Sequence, residues 1–476
     1  MKYIYSKAFK TLSNMEHHAQ SIDDALIGGL SYKLKAGASY VSNRRKCTYF
    51  ASGGNQYSSS GVKVCKFNIV SDDWLDPSTF RVAFTLNHPN PLNPVTKCKP
   101  LHWNPAVFFR RARVMVGGVC IEDIDDFNRL SVMLTALKPV DEQKDIAMEG
   151  FGLFADVNDS IPINQTNWVE GTDPEEEKDK RKAYRVSDWD ESGSVRFSKT
   201  VLFKPMLGIL NQEKLLPLRY APLTIELELV NNARDCVFIG RHGSDTGCDD
   251  NWNISDIQCK CDLLTLDSSL QNEYASHLLS GKSLPINFST FNHTNQSTNN
   301  DPSFSVNVHR ALTRLKTVFI SLFKESSPGE GPPEVKLPGE RKICNDFYHP
   351  VSAFADENLE KGQHQVQLQV GSKLYPEYPI SSSCESYYQL KQAVKTPIHI
   401  YSRWYHTVKY IIGMDFEKVS GSGFTGLNTK NGELLTVNFK NCILDDIAFS
   451  IPSRVFVALH YDCVLNIRDS GVELLD

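Results

Sequence analysis

The chain repeats itself, and this bounds its fold more tightly than any single motif. Val114-Met115-Val116-Gly117-Gly118 is followed by an acidic turn, Glu122 to Asp126, and then by the helical pattern Asn128-Arg129-Leu130. Far downstream, Leu368-Gln369-Val370-Gly371-Ser372 leads into Pro376-Glu377-Tyr378-Pro379 and a second helical pattern, Tyr388-Gln389-Leu390. Each half then closes on a long apolar strand with one embedded aspartate: Ile254 to Leu266 with Asp262, and Val455 to Ile467 with Asp462. The offset between the copies shrinks from about 254 residues at the turn to about 200 at the long strand, so loops of unequal length separate the repeats. A period this long is a domain duplication, not a solenoid.

Each half reads as β-sheet. Val62 to Ile69 alternates apolar and polar residues, Asp76-Pro77 marks a turn, and Phe80 to Leu86 returns as a strand. Val107 to Val116 is a third strand, and Leu223-Thr224-Ile225-Glu226-Leu227-Glu228-Leu229 alternates without a break. Such alternation gives one buried and one solvated face. Helices are few: Asn128 to Leu137, Ser268 to Ser280 stopped by Gly281, and Glu385 to Val394. Long polar insertions, Ile161 to Ser194 and Glu325 to Arg341, interrupt the halves. No apolar run approaches the ~20 residues of a membrane-spanning helix, and the first thirty residues lack the apolar core of a signal peptide.

Charge is mild overall and uneven along the chain. The net charge of -5 argues against a dedicated nucleic-acid binder. Residues 25 to 71, however, hold no acid, and Lys33, Lys35, Arg44, Arg45, Lys46, Lys63 and Lys66 give them a charge of about +7. Before them, Leu12, Met15, Ala19, Ile22 and Leu26 describe one stripe of an amphipathic helix. Ser52 to Gly61 is Gly/Ser-rich and reads as a flexible joint. This basic stretch is expected either to touch phosphates or an acidic surface, or to pack under the subunit against neighbouring acids. The twelve cysteines contain no CxxC, so they read as core thiols folded in a reducing compartment.

No catalytic constellation emerges. Gly421-Ser422-Gly423-Phe424-Thr425-Gly426 matches GxGxxG in form, but an alternating segment with Asn431-Gly432 follows where a helix is required, so it reads as turn and hairpin. Glu122, Asp123, Asp125 and Asp126 lie directly before a helix, where carboxylates cap free N-H groups. Arg110, Arg111 and Arg113 sit on a strand whose alternation places Arg110 opposite the other two, a solvated or interface face. The thirteen histidines form no ligand-spaced set, and no metal or cofactor is expected.

At these strands the chain resembles the double jelly-roll major capsid proteins of tailless phages, adenovirus-like viruses, virophages, Polinton-like viruses and large eukaryotic DNA viruses. The resembling segments are Trp74 to Thr79, Val107 to Leu130, Leu215-Leu216-Pro217-Leu218 with Leu223 to Leu227, Trp252 to Gly281, Val366 to Leu390 and Phe424 to Leu475. The resemblance implies an all-β fold of two tandem eight-stranded jelly-roll sandwiches with a few short helices and long loops. It divides the chain into an arm (1–61), a first jelly roll (62–266), a connecting helix (267–283) and a second jelly roll (284–476). It further implies a structural, non-enzymatic protein of the virion whose homotrimers form pseudo-hexagonal capsomers of an icosahedral shell. Penton and minor capsid proteins are the implied partners. Ile161 to Ser194 and Glu325 to Lys361 are then outward towers. The arm faces inward, with Lys33, Lys35, Arg44, Arg45 and Lys46 as candidate contacts to genome or internal membrane. The rival readings are a tandem β-sandwich that binds glycans and a β-sandwich hydrolase.

Overall fold

The computed structural model describes residues 41–88, 99–151, 198–238, 250–298, 301–323, 347, 349–350, 364–400, 405–406, 409–418, 425–430, 434–442 and 454–476. Within these residues the chain forms two antiparallel sandwiches built to one plan. The first uses β1 (Val41–Phe50), β2 (Val64–Ile69), β3 (Trp74–Asn87), β4 (Phe109–Val116), β5 (Val119–Ile124), β6 (Ser198–Phe203), β7 (Leu223–Leu229) and β8 (Asn253–Leu266). The second uses β9 (Leu284–Ser297), β10 (Phe304–Val308), β11 (Leu315–Phe323), β12 (Gln365–Val370), β13 (Lys373–Ile380), β14 (Ile411–Asp415), β15 (Leu435–Lys440) and β16 (Arg454–Arg468).

The first sandwich stacks the sheet β1-β8-β3-β6 on the sheet β2-β7-β4-β5; the second stacks β9-β16-β11-β14 on β10-β15-β12-β13. Adding eight to each label of one gives the other, so the duplication extends to strand order. This interleaved order is that of a jelly roll. In each copy the fourth and fifth strands are joined by a tight turn whose glycine is left-handed, Gly117 at φ 57° and Gly371 at φ 58°. The repeated Val-Gly therefore records a backbone conformation that a side chain disfavours.

Pairing register separates the two ends of each sandwich. Asn87 faces both Ser198 and Asn253, so the chain leaves β3 and enters β6 and β8 at one end. Val41 and Trp74 face Leu266 and Leu264 at the other. In the second copy Phe323 and Ser297 both face Arg454, while Leu284 faces Ile467. Long connections thus depart from one end, and the chain enters β1 from the opposite end.

Alternation becomes burial as expected. Leu223, Ile225, Leu227 and Leu229 of β7 are buried, while Glu226 and Glu228 point outward to Lys66, Arg113 and Arg110. In β16 and β11 the burial is nearly continuous, because other elements cover the outer face as well. An aromatic knot fills the first core: Phe84 meets the rings of Phe108, Phe109, Phe151 and Phe203 at centroid distances of 5.7–6.4 Å. Cys65, Cys236, Cys259, Cys261, Cys442 and Cys463 are buried thiols. Burial alone pushes the Cys442 thiol up to about 12.

Helices cap and link the sandwiches: α1 (Phe127–Ala136), α2 (Val140–Glu149), α3 (Ser268–Leu279) and α4 (Ser383–Val394). The linker α3 opens on Asp267, which accepts from the Ser269 N-H at 3.2 Å. Ser382 accepts from the Glu385 N-H at 3.2 Å, and Glu385 accepts from the Ser381 N-H at 3.1 Å, a reciprocal cap on α4. The sequence patterns missed α2, which buries only Gln143 and Ala147 and so carries almost no apolar stripe.

Three further expectations are corrected. Asp76-Pro77 does not reverse the chain: β3 runs through it. Asp76 accepts from the Ser78 N-H at 3.1 Å, but within a bulge between the pairs Asp76–Asp262 and Arg81–Lys260. Ser52 to Gly61 is anchored rather than a joint, since Gln56–Tyr57 pairs with β8 and the Tyr57 ring is buried. The arm boundary at residue 61 moves back to Val41, because β1 is a strand of the first sandwich. The expected helix at Leu12 to Leu26, Lys33, Lys35 and the insertions Ile161 to Ser194 and Glu325 to Arg341 lie outside the described residues.

Candidate functional site at the seam between the sandwiches

The two sandwiches meet along a seam of unlike edges, β5 of the first against β9 of the second. At its centre Glu122 leaves β5 and is buried. Its carboxylate accepts from the backbone N-H groups of Gly208 (2.8 Å) and Ile209 (3.1 Å) and from the Thr290 hydroxyl of β9. Gly208–Leu210 is a single 3-10 turn of the first sandwich, and the carboxylate satisfies its free N-H groups. One side chain thus ties a strand, a turn and the neighbouring sandwich together. Burial raises the Glu122 pKa, and the three donated hydrogen bonds only partly oppose it.

Toward the long-loop end, Asp126 receives the Asn295 amide at 3.1 Å and lies 3.5 Å from His293 Nε2, both on β9. Burial pushes the Asp126 carboxyl up, but the His293 hydrogen bond, the Arg129 charge and the Asn295 amide outweigh it and hold the group below the usual carboxylate range. The Arg129 guanidinium lies 3.9 Å from the Phe323 ring centroid of the second sandwich. Toward the short-turn end, a Cβ added at Gly117 would sit 2.9 Å from Val472 Cγ2. Lys214 Nζ donates to the Pro285 carbonyl at 2.7 Å. Beside the seam lies a cavity of about 490 Å³ lined by Leu134, Leu137 and Met206 from one sandwich and by Phe291, Phe319 and His460 from the other.

The acidic cluster is therefore not a helix cap. Asp126 holds the N-cap position of α1 but is left-handed (φ 47°) and makes no side-chain cap bond. Asp123 takes Arg111 at 2.6 Å, and Asp125 takes Arg110 at 2.9 Å. The arginines depart from strict alternation too: the pairs Arg111–Glu228 and Phe109–Leu229 straddle a bulge, which lets Arg110 reach Glu228. Local sequence names the charges, but the bulge and the neighbouring sandwich choose their partners.

The aspartates of the two long strands serve one purpose in both copies. Asp262 accepts from Arg44 Nε at 2.8 Å, and a second nitrogen of Arg44 reaches Asp76 at 3.0 Å. Asp462 faces Lys316 Nζ at 3.3 Å, which also approaches Glu417 at 3.4 Å. Each is a carboxylate in a sheet interior held by a cation from an adjacent strand. Of the candidate inner-face cations, Arg44, Arg45 and Lys46 are thus consecutive residues of the edge strand β1. Arg45 meets Asp73 at 2.6 Å, so Arg44 and Arg45 are neutralised within the sandwich while their side chains stay about half exposed. Among the described residues, no group of three or more His, Cys, Asp and Glu could hold a metal.

His460 lies next to Lys316, Asp462, Glu417 and Lys395, and burial, reinforced by the Lys316 charge, lowers its pKa from 6.5 to about 4. The unfolded chain therefore takes up this proton first as pH falls. The stability tied to a neutral His460 is complete above pH 6.5 and is lost toward pH 4. Urea unfolding of His460→Gln at a series of pH values should show a decline over that window shallower than wild type by about 3 kcal/mol. An unchanged slope would show that this imidazole is not the group titrating.

No family model matches the chain, and no curated protein matches it in sequence. Solved structures do match its fold. PBCV-1 VP54, in the form fitted into a reconstruction of the virophage Sputnik, superposes with a TM-score of 0.60 over 94% of this chain and 100% of that one, at 12% identity. The structure of the Sputnik virophage gives 0.58 over 94% and 90%, at 12% identity. The Faustovirus major capsid protein gives 0.50 over 92% and 92%, at 8% identity. Strand order and these superpositions together define the class: the chain is an all-β double jelly roll. The particular fold it shares is the one found in these virus coat structures.

Proposed function

We propose that this chain is a major capsid protein that trimerises into pseudo-hexagonal capsomers and tiles an icosahedral shell. The observation that carries this reading is the hydrogen-bonded seam between two sandwiches of identical strand order. A chain built so presents two near-equivalent blocks side by side, and three copies supply six blocks around one axis. Its fold likeness to virus coat structures supports the same reading. The protein then resides in the virion, with penton and minor capsid proteins as its partners.

Light scattering of the purified full chain tests the reading. The expected particle has three times the 53.6 kDa chain mass. A chain that stays monomeric at every concentration would overturn it. The basic N-terminal segment is assigned to the inner side of the shell, because the chain enters β1 at the end opposite the long connections. Deleting residues 1–40, which spares β1, is expected to leave trimers intact while lowering the yield of closed shells at least tenfold in electron micrographs. Normal shell yield from the truncated chain would remove the arm from assembly.

A further inference from the structure

Strand register sets two thiols face to face. In the ladder between β1 and β8, Cys47 stands directly opposite Cys261, within an unbroken run from Arg44–Leu264 to Phe50–Gln258. Residues paired in this way point to one face of the sheet, with Cα atoms about 4.5–5.5 Å apart. A disulfide spans Cα separations of about 4.4–6.8 Å. Among the described residues, this is the one place where a ladder pairs two cysteines. Cys65 faces Leu227, Cys120 faces Met115, Cys259 faces Val82 and Tyr49, and Cys463 faces Phe288. We propose that Cys47 and Cys261 form an oxidation site, which closes into a disulfide when a small disulfide oxidant such as glutathione disulfide reaches it.

The surroundings suit this chemistry. Cys47 is partly exposed while Cys261 is 3% exposed, so the oxidant meets Cys47 first. Burial, helped by the Cys47 charge, pushes the Cys261 thiol up to about 12, which makes it the second group to react. Among the described residues no strand pairs with the far side of β1. This edge strand has room for the ~1 Å shift that brings cross-strand Cβ atoms to disulfide distance. The pair belongs to the first sandwich alone. In the second, the corresponding position holds Thr290 and Tyr461, and the Thr290 hydroxyl is engaged by Glu122 in the seam.

The exchange balances in two steps. The Cys47 thiolate attacks one sulfur of glutathione disulfide, forming a mixed disulfide and releasing one glutathione thiolate. The Cys261 thiolate then attacks the Cys47 sulfur and releases the second glutathione thiolate. Two protein thiols are oxidised, glutathione disulfide is reduced to two glutathiones, and the two thiol protons end on them. The new bond ties β1 to β8 and closes a loop over residues 48–260, long enough for a large effect on the unfolded chain. The chemistry of this latch is independent of the coat reading above; its use rests on that reading. A coat chain is made in a reducing cell and persists outside it, so the latch stays open during folding and closes after release.

The test uses the purified full-length chain, equilibrated with reduced or oxidised glutathione, alkylated, cut with trypsin and read by mass spectrometry. Cleavage after Lys46, Lys63, Lys260 and Lys282 separates Cys47 from Cys65 and Cys261 from Cys259. The oxidised sample should contain peptide 47–63 linked to peptide 261–282, and dithiothreitol should release it. Its thermal transition should lie about 5 °C or more above that of the reduced sample. Cys47→Ser, at a partly exposed edge, should abolish both the linked peptide and the shift. Cys463→Ser, at the thiol that faces Phe288, should keep both. Four results would each overturn the latch: alkylation of both thiols at every oxidant concentration, glutathione held on Cys47 without the linked peptide, a link from Cys47 to another cysteine, or a linked pair that leaves the transition unmoved. Each leaves the trimer mass, and with it the coat reading, untouched.

Discussion

Gly208→Ala is expected to loosen the seam more than any other single methyl group placed along it. A Cβ built at Gly208 would sit 2.0 Å from the Ser289 carbonyl oxygen and 2.9 Å from its carbonyl carbon. Both are backbone atoms of β9, and β9 is held along its whole length by β16, so it cannot move aside alone. Either the 3-10 turn withdraws, which breaks the two N-H bonds to Glu122, or the sandwiches separate. Overpacking typically costs 1–3 kcal/mol, and an unyielding backbone contact puts this variant at about 3 kcal/mol or more. Calorimetry should show a lower transition temperature, and limited proteolysis should cut the α3 linker faster than in wild type. A variant with the wild-type transition would mean the turn has room that the packing denies.

Glu122→Ala is the second large effect, and it acts by omission. It leaves two backbone N-H groups and the Thr290 hydroxyl without their acceptor in a buried place, at about 1–3 kcal/mol each, so a total loss of about 3–9 kcal/mol is expected. Glu122→Gln keeps the shape and one acceptor but turns an amide N-H toward a donor, so its loss should be smaller. The pH dependence distinguishes the two roles of the carboxyl. Burial holds Glu122 above its ordinary 4.5, so the native state keeps this proton longer than the unfolded chain. The stability tied to that proton is present below pH 4.5 and declines as pH rises toward the folded value. Glu122→Gln, which cannot ionise, should therefore cost less at pH 8 than at pH 4 in denaturant titrations. The opposite order would show that the folded carboxylate is stabilised by its donors, not strained by burial.

Much of the fold was legible because duplication and alternation are written in the order of residues. The Val-Gly turn repeats because two chain reversals need the same left-handed backbone. The paired aspartates repeat because each long strand holds a cation at the same depth. Helices α1, α3 and α4 showed through their apolar spacing or their stops, and α2 stayed hidden because it lies on the surface with two buried residues. The site was legible only in part. Glu122 and Asp126 were visible as an acidic turn before a helix, and helix capping is the local explanation for such a turn. Their real partners, Thr290, His293 and Asn295, lie about 170 residues away, beyond the reach of any local rule.

The edge strand β1 shows the same division. As sequence, Arg44-Arg45-Lys46 is a basic run on a possible arm; in the fold it is a strand whose first two cations are answered by Asp262, Asp76 and Asp73. Sequence by itself determined what depends on neighbours along the chain: two copies, strands with one wet face, turns that need glycine, and thiols among apolar residues. Tertiary structure decided which edge meets which, where the acids find their donors, and which aromatic residues stay uncovered. Those choices follow from the docking of one sandwich on another. Docking depends on the shapes of whole surfaces, and no stretch of consecutive residues carries it.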